Sequence, residues 1–127
     1  MKVYHGTNSE FQKFDFGKLG DNTLDMSPAG VMGAFFTNSL RYASDYAAYA
    51  AQNGGEPTIL VANIKIENPA DYNNIDLEAL ESPEAALELK EMLIAEGYDG
   101  LRIDTSYGET EYCVFSQNQI KSIKKHK

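Results

Sequence analysis

The chain has 127 residues, 43% of them apolar and 24% charged, which is the composition of one globular domain and excludes a disordered tail. Its 19 Asp and Glu against 11 Lys and Arg give a formal net charge of −8, which excludes a broad electrostatic attraction to nucleic acid or anionic lipid. A nucleic-acid partner would require a local basic patch. With one cysteine, no apolar run of roughly 18 residues and no signal-peptide pattern, we expect a single soluble, cytosolic domain over residues 1–127 without a membrane partner.

Alternation, helical periodicity and cap residues predict an α+β fold of many short strands and two main helices. The predicted elements, in chain order, are a strand ending at Gly6, a strand over 33–37, a helix capped at Asn38 or Ser39 and ending near Gln52, a strand over 58–67, a short helix over 75–81, a helix from Ser82 to Gly97, and strands over 101–103, 111–115 and 119–124. Residues 17–33 contain four glycines among Asp and Asn residues, and we expect them to form a mobile loop that covers a site.

His5 stands at the end of the first predicted strand and is followed by Gly6 and Thr7. A glycine at that place lets a ligand approach the backbone amide and carbonyl, so the segment fits a binding site. A partly buried structural histidine beside a turn glycine explains the same residues. The only other histidine, His126, lies in a basic tail that we expect to fray, and without a Cys or His cluster we expect no metal site.

Three tyrosines follow one stripe of the first predicted helix, at positions 42, 46 and 49. We interpret Tyr42 and Tyr49 as packing residues. Tyr46 could pack too, or could form with Phe35 the two walls of a slot for a flat ring, because stacked or edge-on rings gain about 0.5–1.5 kcal/mol beyond the burial of their area.

Two carboxylates, Glu109 and Glu111, lie two residues apart where the strand predicted at 111–115 begins. An extended backbone would direct both side chains to one face. Glu111 precedes an apolar run directly, so we expect its carboxylate to be more buried and more fixed than that of Glu109. A solvated acidic turn is the alternative. Cys113 is interpreted as a small buried strand residue, because no His or Asp near it in the sequence would activate its thiol.

Three segments in chain order resemble the signature motifs of the ADP-ribosyltransferases: Tyr4-His5-Gly6-Thr7, Gly33-Ala34-Phe35-Phe36-Thr37 with Tyr46 downstream, and Glu111-Tyr112-Cys113-Val114-Phe115. The pattern is similar to the His-Tyr-Glu clade of diphtheria toxin and the poly(ADP-ribose) polymerases, in a small bacterial or phage form. Phe35 departs from the tyrosine usual in this clade, and Ala43 departs from the serine of the polymerases. The resemblance implies one ADP-ribosyltransferase-like domain of short strands in two packed sheets with two main helices.

The resemblance also implies NAD⁺ as co-substrate and no metal. The residues it implies in NAD⁺ binding are His5 (ribose hydroxyls), Gly6 (nicotinamide carboxamide, through its backbone), Thr7 (a nearby hydroxyl), and Phe35 and Tyr46 (stacking on nicotinamide). His5 and Glu111 would be the catalytic pair. Glu111 would hold the ribose 2′-hydroxyl and stabilise the oxocarbenium-like charge that develops as nicotinamide leaves.

The implied function is mono-ADP-ribosyl transfer from NAD⁺ to a macromolecular acceptor, a protein side chain or a nucleic acid. Glu109 with Glu111 also resembles the E-x-E motif of the arginine-targeting branch, and Glu109 would recognise the acceptor. A catalytically silent NAD⁺-binding or protein-interaction module and an NAD⁺ glycohydrolase are the alternatives on the same fold. The lysines at 121, 124, 125 and 127 are interpreted as a solvated edge, with nucleic-acid contact as the second interpretation.

Overall fold

The computed structural model describes residues 1–8, 32–71, 82–104 and 108–126. The class is α+β, as predicted. The elements of the described residues are β1 (Lys2–Thr7), β2 (Ala34–Thr37), α1 (Leu40–Ala50), β3 (Thr58–Ile64), β4 (Pro69–Asp71), α2 (Pro83–Ala95), β5 (Gly100–Asp104), β6 (Thr110–Val114) and β7 (Ile120–Lys125), with 3₁₀ turns at Ala51–Asn53 and Gln117–Gln119. The loop predicted at residues 17–33 lies outside the described residues up to position 31, and the short helix predicted at 75–81 lies outside them entirely.

The described strands form one mixed sheet in the order β4-β5-β6-β2-β1-β3-β7. β4 and β5 are parallel, and the other neighbours are antiparallel. The expected division into two packed sheets is wrong, because Tyr4 of β1 pairs with Thr37 of β2 and joins the two halves. This is the one registered β1–β2 pair in the described part of the chain, whereas β1 and β3 stay paired along all six residues of β1.

Two apolar clusters hold the sheet on its two faces. Cluster 1 lies between α2 and strands β5 and β6, on the face that also carries α1, and consists of Met32, Ala70, Ala86, Leu93, Leu101, Cys113 and Phe115. Cluster 2 lies on the opposite face and consists of Val3, Ala34, Phe36, Ala62, Ile64 and Val114. Cluster 2 draws its buried side chains from β1, β2, β3 and β6, so both halves of the sheet contribute to one core.

Helix α1 lies directly on β1 because its contacting residues are small. Ser39 caps the helix, its hydroxyl accepting a hydrogen bond from the Tyr42 amide at 3.1 Å. Ala43 and Ala47 are buried against β1 at Gly6, where a Cβ atom would overlap the carbonyl oxygen of Ala43 and lie 2.8 Å from the amide nitrogen of Ala47. Helix packing therefore requires the glycine at position 6, independently of any ligand.

Three sequence expectations are corrected by the fold. Tyr49, interpreted as a packing residue, is 52% exposed because α1 meets the sheet through its alanines. The strand predicted over 58–67 ends at Ile64, where the β3–β7 register shifts and the next amide, that of Lys65, donates to the Gln119 carbonyl at 2.8 Å. A short strand, β4, begins at Pro69, where no strand was predicted. It forms because its backbone pairs with β5, about thirty residues further along the chain.

We predict that Gly6→Ala destabilises the fold by about 1–3 kcal/mol or more, because the added methyl group must displace α1 from β1. Denaturant unfolding of the purified variant measures this loss. The control is Ala48→Ser, an exposed position of the same helix, which should stay within about 0.5 kcal/mol of the parent protein. An unchanged midpoint for Gly6→Ala would show that the helix does not need this close approach.

Candidate active site

Three adjacent strands carry the three motif segments. β6, β2 and β1 are neighbours in the sheet, and the registered pairs place Glu111 opposite Thr37 and Thr37 opposite Tyr4. Residues opposite one another project to the same face, so these three side chains share the face that carries α1. Phe35 shares that face as well, two residues before Thr37. The fold thus brings together segments that are separated by more than 100 residues in sequence.

The β1–β2 ladder stops at Gly6. Met1 and Ile64 exchange both backbone hydrogen bonds, so alternate residues of β1 direct their N–H and C=O groups to β3. By the same alternation Tyr4 and Gly6 direct theirs toward β2. Tyr4 pairs with Thr37 of β2, but β1 and β2 have no registered pair at Gly6 in the described residues. The Gly6 amide and carbonyl therefore face the place where the two strands separate.

The imidazole of His5 occupies the position at which the ladder would continue. Its Nδ1 lies 2.8 Å from the carbonyl oxygen of Phe35, the acceptor that a continued ladder would offer to the Gly6 amide. Because a carbonyl can only accept, Nδ1 carries the hydrogen and the neutral ring keeps its lone pair on Nε2. The ring also meets Phe36 edge-on, at 5.9 Å between centroids.

Burial holds this imidazole in its neutral form. Desolvation lowers the pKa of His5 below the usual 6.5 and outweighs the opposite effect of the hydrogen bond to the Phe35 carbonyl. At neutral pH, Nε2 is thus a hydrogen-bond acceptor, which is the chemistry needed to bind a ribose hydroxyl. The hydrogen bond from Nδ1 to the Phe35 carbonyl gives His5 a structural role in holding β2, and its binding of a ligand stays a prediction.

Glu111 lies within the sheet and Glu109 lies just before it. Glu111 is paired with Thr37 on one side and Ile103 on the other. Both glutamates are partly buried, so the expected contrast in burial between them is not seen. Their difference is positional, because the backbone of Glu111 is fixed by two neighbouring strands and Glu109 precedes the first residue of β6.

Sequence reasoning missed Asn38, which fastens the start of β6 to the end of β2. The Thr110 amide donates to Asn38 Oδ1 at 3.1 Å, and the Asn38 amide donates to the Thr110 carbonyl at 3.1 Å. Thr37 Oγ1 donates to the same carbonyl at 3.2 Å. These bonds fix the residue next to Glu111. The signal for this role in the sequence is a short polar side chain directly after the strand predicted at 33–37. From the sequence alone, that side chain is expected only to cap the helix, a role that Ser39 performs.

The two aromatic residues of the expected slot lie on different elements. Phe35, partly buried, packs against cluster 1 from β2. Tyr46 is on α1, with its ring 6.4 Å from that of Tyr49 in a tilted arrangement. Both elements border Gly6, and a slot formed by the two rings stays a prediction. Thr7 ends β1 opposite Thr58 and projects from the other face of the sheet, with His5.

Cys113 is fully buried and desolvation strongly raises the pKa of its thiol, which confirms a core residue and not a nucleophile. The residues that the structure describes contain no group of three or more His, Cys, Asp or Glu side chains placed to hold a metal ion. No helix among them is long and apolar enough to cross a membrane.

A family model described as ADP-ribosyltransferase in polyvalent proteins matches residues 1–127. The chain is thus an ADP-ribosyltransferase-type protein, as the three motif segments indicated. It belongs to the family of ADP-ribosyltransferases in polyvalent proteins, a superfamily membership that supports general ADP-ribosyl transfer with NAD⁺ as co-substrate. No curated protein and no solved structure shows significant similarity to the chain.

The lowered pKa of His5 predicts how stability depends on pH. The unfolded chain takes up the proton near pH 6.5 and the folded chain takes it up only at lower pH. The contribution to the free energy of unfolding is therefore complete above pH 6.5 and declines as the pH falls toward the folded-state pKa, by at most about 1.4 kcal/mol per pH unit.

His5→Asn tests this prediction, because the Asn amide can donate to the Phe35 carbonyl and does not titrate. We expect the difference in unfolding free energy between the parent protein and the variant to be constant above pH 6.5 and to change below it. Denaturant titrations from pH 8 to pH 5 measure this difference. His126 is present in both proteins and cancels; a difference that is constant at all pH values would contradict the assignment.

Proposed function

We propose that the protein cleaves the bond between nicotinamide and ribose of NAD⁺ and transfers ADP-ribose to a macromolecular acceptor. The observation that carries the proposal is the interrupted β1–β2 ladder. The Gly6 amide and carbonyl face the place where the two strands separate, and the His5 imidazole binds the Phe35 carbonyl that the next ladder hydrogen bond would use. The family match supports the reaction class. The roles of individual residues that follow are our proposal.

The nicotinamide ring is bound where β1 and β2 separate. The carboxamide offers one donor group and one acceptor, the complement of the Gly6 carbonyl and amide. The ring then stacks between Phe35 and Tyr46, and Thr7 supplies a hydroxyl from the opposite face of the sheet, at the place where β1 and β2 separate. Phe35 retains the stacking face of the family's tyrosine and lacks its hydroxyl, so ring contacts and not a hydrogen bond orient the ligand on that side.

Glu111 and His5 act on the ribose that follows, reaching it from opposite faces of the sheet where β1 and β2 separate. His5 Nε2 accepts a hydrogen bond from a ribose hydroxyl. Glu111 accepts one from the 2′-hydroxyl and stabilises the positive charge that develops on the ribose. The electron pair of the breaking C–N bond stays on nicotinamide, which leaves as a neutral ring, so the departure needs no general acid. The acceptor then attacks the anomeric carbon from the opposite face, and its proton passes to water.

Glu109 precedes β6 and is followed directly by Thr110, whose backbone is hydrogen-bonded to Asn38. Its carboxylate is close enough in sequence to Glu111 to meet an acceptor at the same reacting centre. We assign Glu109 to acceptor recognition. Water as the acceptor gives NAD⁺ glycohydrolase activity, and a chain that releases no nicotinamide is a binding module on the same fold.

Glu111→Gln tests the proposal. We expect nicotinamide release from NAD⁺ to fall by about 10²-fold or more, because the amide cannot supply the negative charge, while NAD⁺ affinity and the unfolding midpoint change little. Chromatographic detection of nicotinamide measures the rate. Glu91→Gln, an exposed position on α2, is the matched control and should release nicotinamide at the parent rate. Equal rates for both variants would refute the catalytic role of Glu111.

Tyr46→Ala tests the stacking slot. Loss of one ring face should weaken NAD⁺ binding by about 0.5–1.5 kcal/mol, up to roughly tenfold in Kd, and should weaken nicotinamide binding equally. Tyr42→Ala, one turn earlier on the same helix, should leave both affinities unchanged. Calorimetric titration compares the two variants. If both lose the same affinity, the tyrosines act through the packing of α1 and the slot does not exist.

A further inference from the structure

A groove with a basic lining lies on the part of the sheet formed by β1, β3 and β7. Its volume is about 640 Å³. The residues that line it are Lys2, Val61, Ala62, Asn63, Ser122, Lys124, Lys125 and His126. The strand that the sequence predicted as a solvated lysine edge is therefore one wall of a concave surface, which we call the basic groove.

The basic groove is formed by strands that carry lysines and no carboxylates. The chain carries 19 Asp and Glu residues, yet β1, β3 and β7 contain none, whereas β1 and β7 together contain four lysines. Among the residues that the structure describes, no acidic side chain lines the groove. A net charge of −8 thus coexists with one local surface that attracts anions.

Aromatic rings lie beside the cations of this surface. The Lys2 ammonium lies 5.8 Å from the centre of the Tyr4 ring, and that ring meets His126 edge-on at 6.1 Å. The His126 amide donates to the Ile59 carbonyl at 2.8 Å, so the expectation that this residue frays is wrong. Lysines next to fixed aromatic faces are the combination with which proteins hold the phosphates and bases of a single nucleic-acid strand.

The basic groove and Glu111 lie on one face of the sheet. The registered pairs Glu111–Thr37, Thr37–Tyr4, Tyr4–Val61 and Val61–Lys124 form one row across five strands. Four steps of about 4.8 Å separate β6 from β7, so the groove begins within roughly 19 Å of the reacting centre. A few nucleotides of an extended strand span that distance.

We propose that the basic groove binds a single-stranded nucleic acid and that this strand is the acceptor of ADP-ribose. This inference rests on the proposed function, since it names the acceptor class of the same site. Phosphates contact Lys2 and Lys124, which share the face of Glu111, and a nucleotide further along the strand reaches the ribose beside Glu111. An oxygen or nitrogen of that nucleotide forms the new bond to the anomeric carbon, nicotinamide leaves with the electron pair of the old bond, and the proton of the nucleophile goes to water.

The binding experiment uses the full chain, fluorescent single-stranded DNA and RNA of about 20 nucleotides, and a salt series. The parent protein should bind at least one of them, and the double variant Lys2→Ala/Lys124→Ala should bind about tenfold more weakly at low salt. Its slope of log affinity against log salt should be smaller by about 1.4, because two phosphate contacts are lost.

The matched control removes two cations outside the groove, in the double variant Lys65→Ala/Arg102→Ala. Both of these side chains are more than half exposed and lie within 4 Å of a carboxylate. The control should retain nucleic-acid affinity. Absence of binding by the parent protein, or equal loss in both double variants, would overturn the proposal. Unfolding midpoints of both variants establish that the fold is kept.

The transfer experiment uses NAD⁺ labelled in its ADP-ribose part together with the same oligonucleotides. Label should appear on the oligonucleotide with the parent protein and be lost with Lys2→Ala/Lys124→Ala, while nicotinamide release without oligonucleotide stays at the parent rate. A raised KM for NAD⁺ in that variant would assign the groove to the diphosphate of NAD⁺ and overturn the proposal. Label on added protein and not on nucleic acid would also overturn it. Failure of the proposed function is distinguishable, since it abolishes nicotinamide release in the parent protein itself.

Discussion

The hydrogen bond from His5 Nδ1 to the Phe35 carbonyl is the interaction on which the site depends. A seven-stranded sheet gains most by continuing every ladder, and β1 and β2 are aligned to do so after Tyr4 and Thr37. The His5 side chain instead donates to the Phe35 carbonyl, which a continued ladder would have paired with the Gly6 amide. One imidazole thus satisfies the Phe35 carbonyl of β2, and the Gly6 amide and carbonyl of β1 face the place where the two strands separate.

Small residues make this arrangement compatible with a packed core. An interrupted ladder weakens a sheet, and helix α1 compensates by lying on β1 at the same residue, Gly6. Ala43 and Ala47 allow the contact. In the polymerases that the sequence resembles, a serine stands at the position of Ala43. Here an alanine at that position lets the helix lie directly on β1 at Gly6.

The sequence predicted the fold class and the motif strands because their signals are local. Ser39 and Ser82 cap the helices where expected, and β3 begins at Thr58 as predicted. The two-sheet arrangement was wrong because a single long-range pair decides it. The short strand at Pro69 was missed for a similar reason, since its pairing partner alone makes it a strand.

The candidate site residues were predicted from their order along the chain, whereas the contacts around them could not be predicted. No local pattern indicates that His5 competes with a backbone ladder, that Asn38 holds the residue before Glu111, or that Lys2 and Lys124 line one groove. Each depends on contacts between segments more than 25 residues apart. His126 illustrates the point, because a basic terminal segment looks frayed in sequence and is held by the amide-to-carbonyl bond to Ile59.

The separation of charge also affects how a polyanion meets the protein before any contact forms. A surface of net charge −8 repels such a partner in most orientations, and the lysine-bearing strands attract it in one. Repulsion by the acidic surface disfavours most orientations of approach, so the encounters that lead to binding are those in which the polyanion is already aligned with β7. Raising the ionic strength toward a Debye length of about 3 Å removes the repulsion and the attraction together, and with them the preference for one direction of approach.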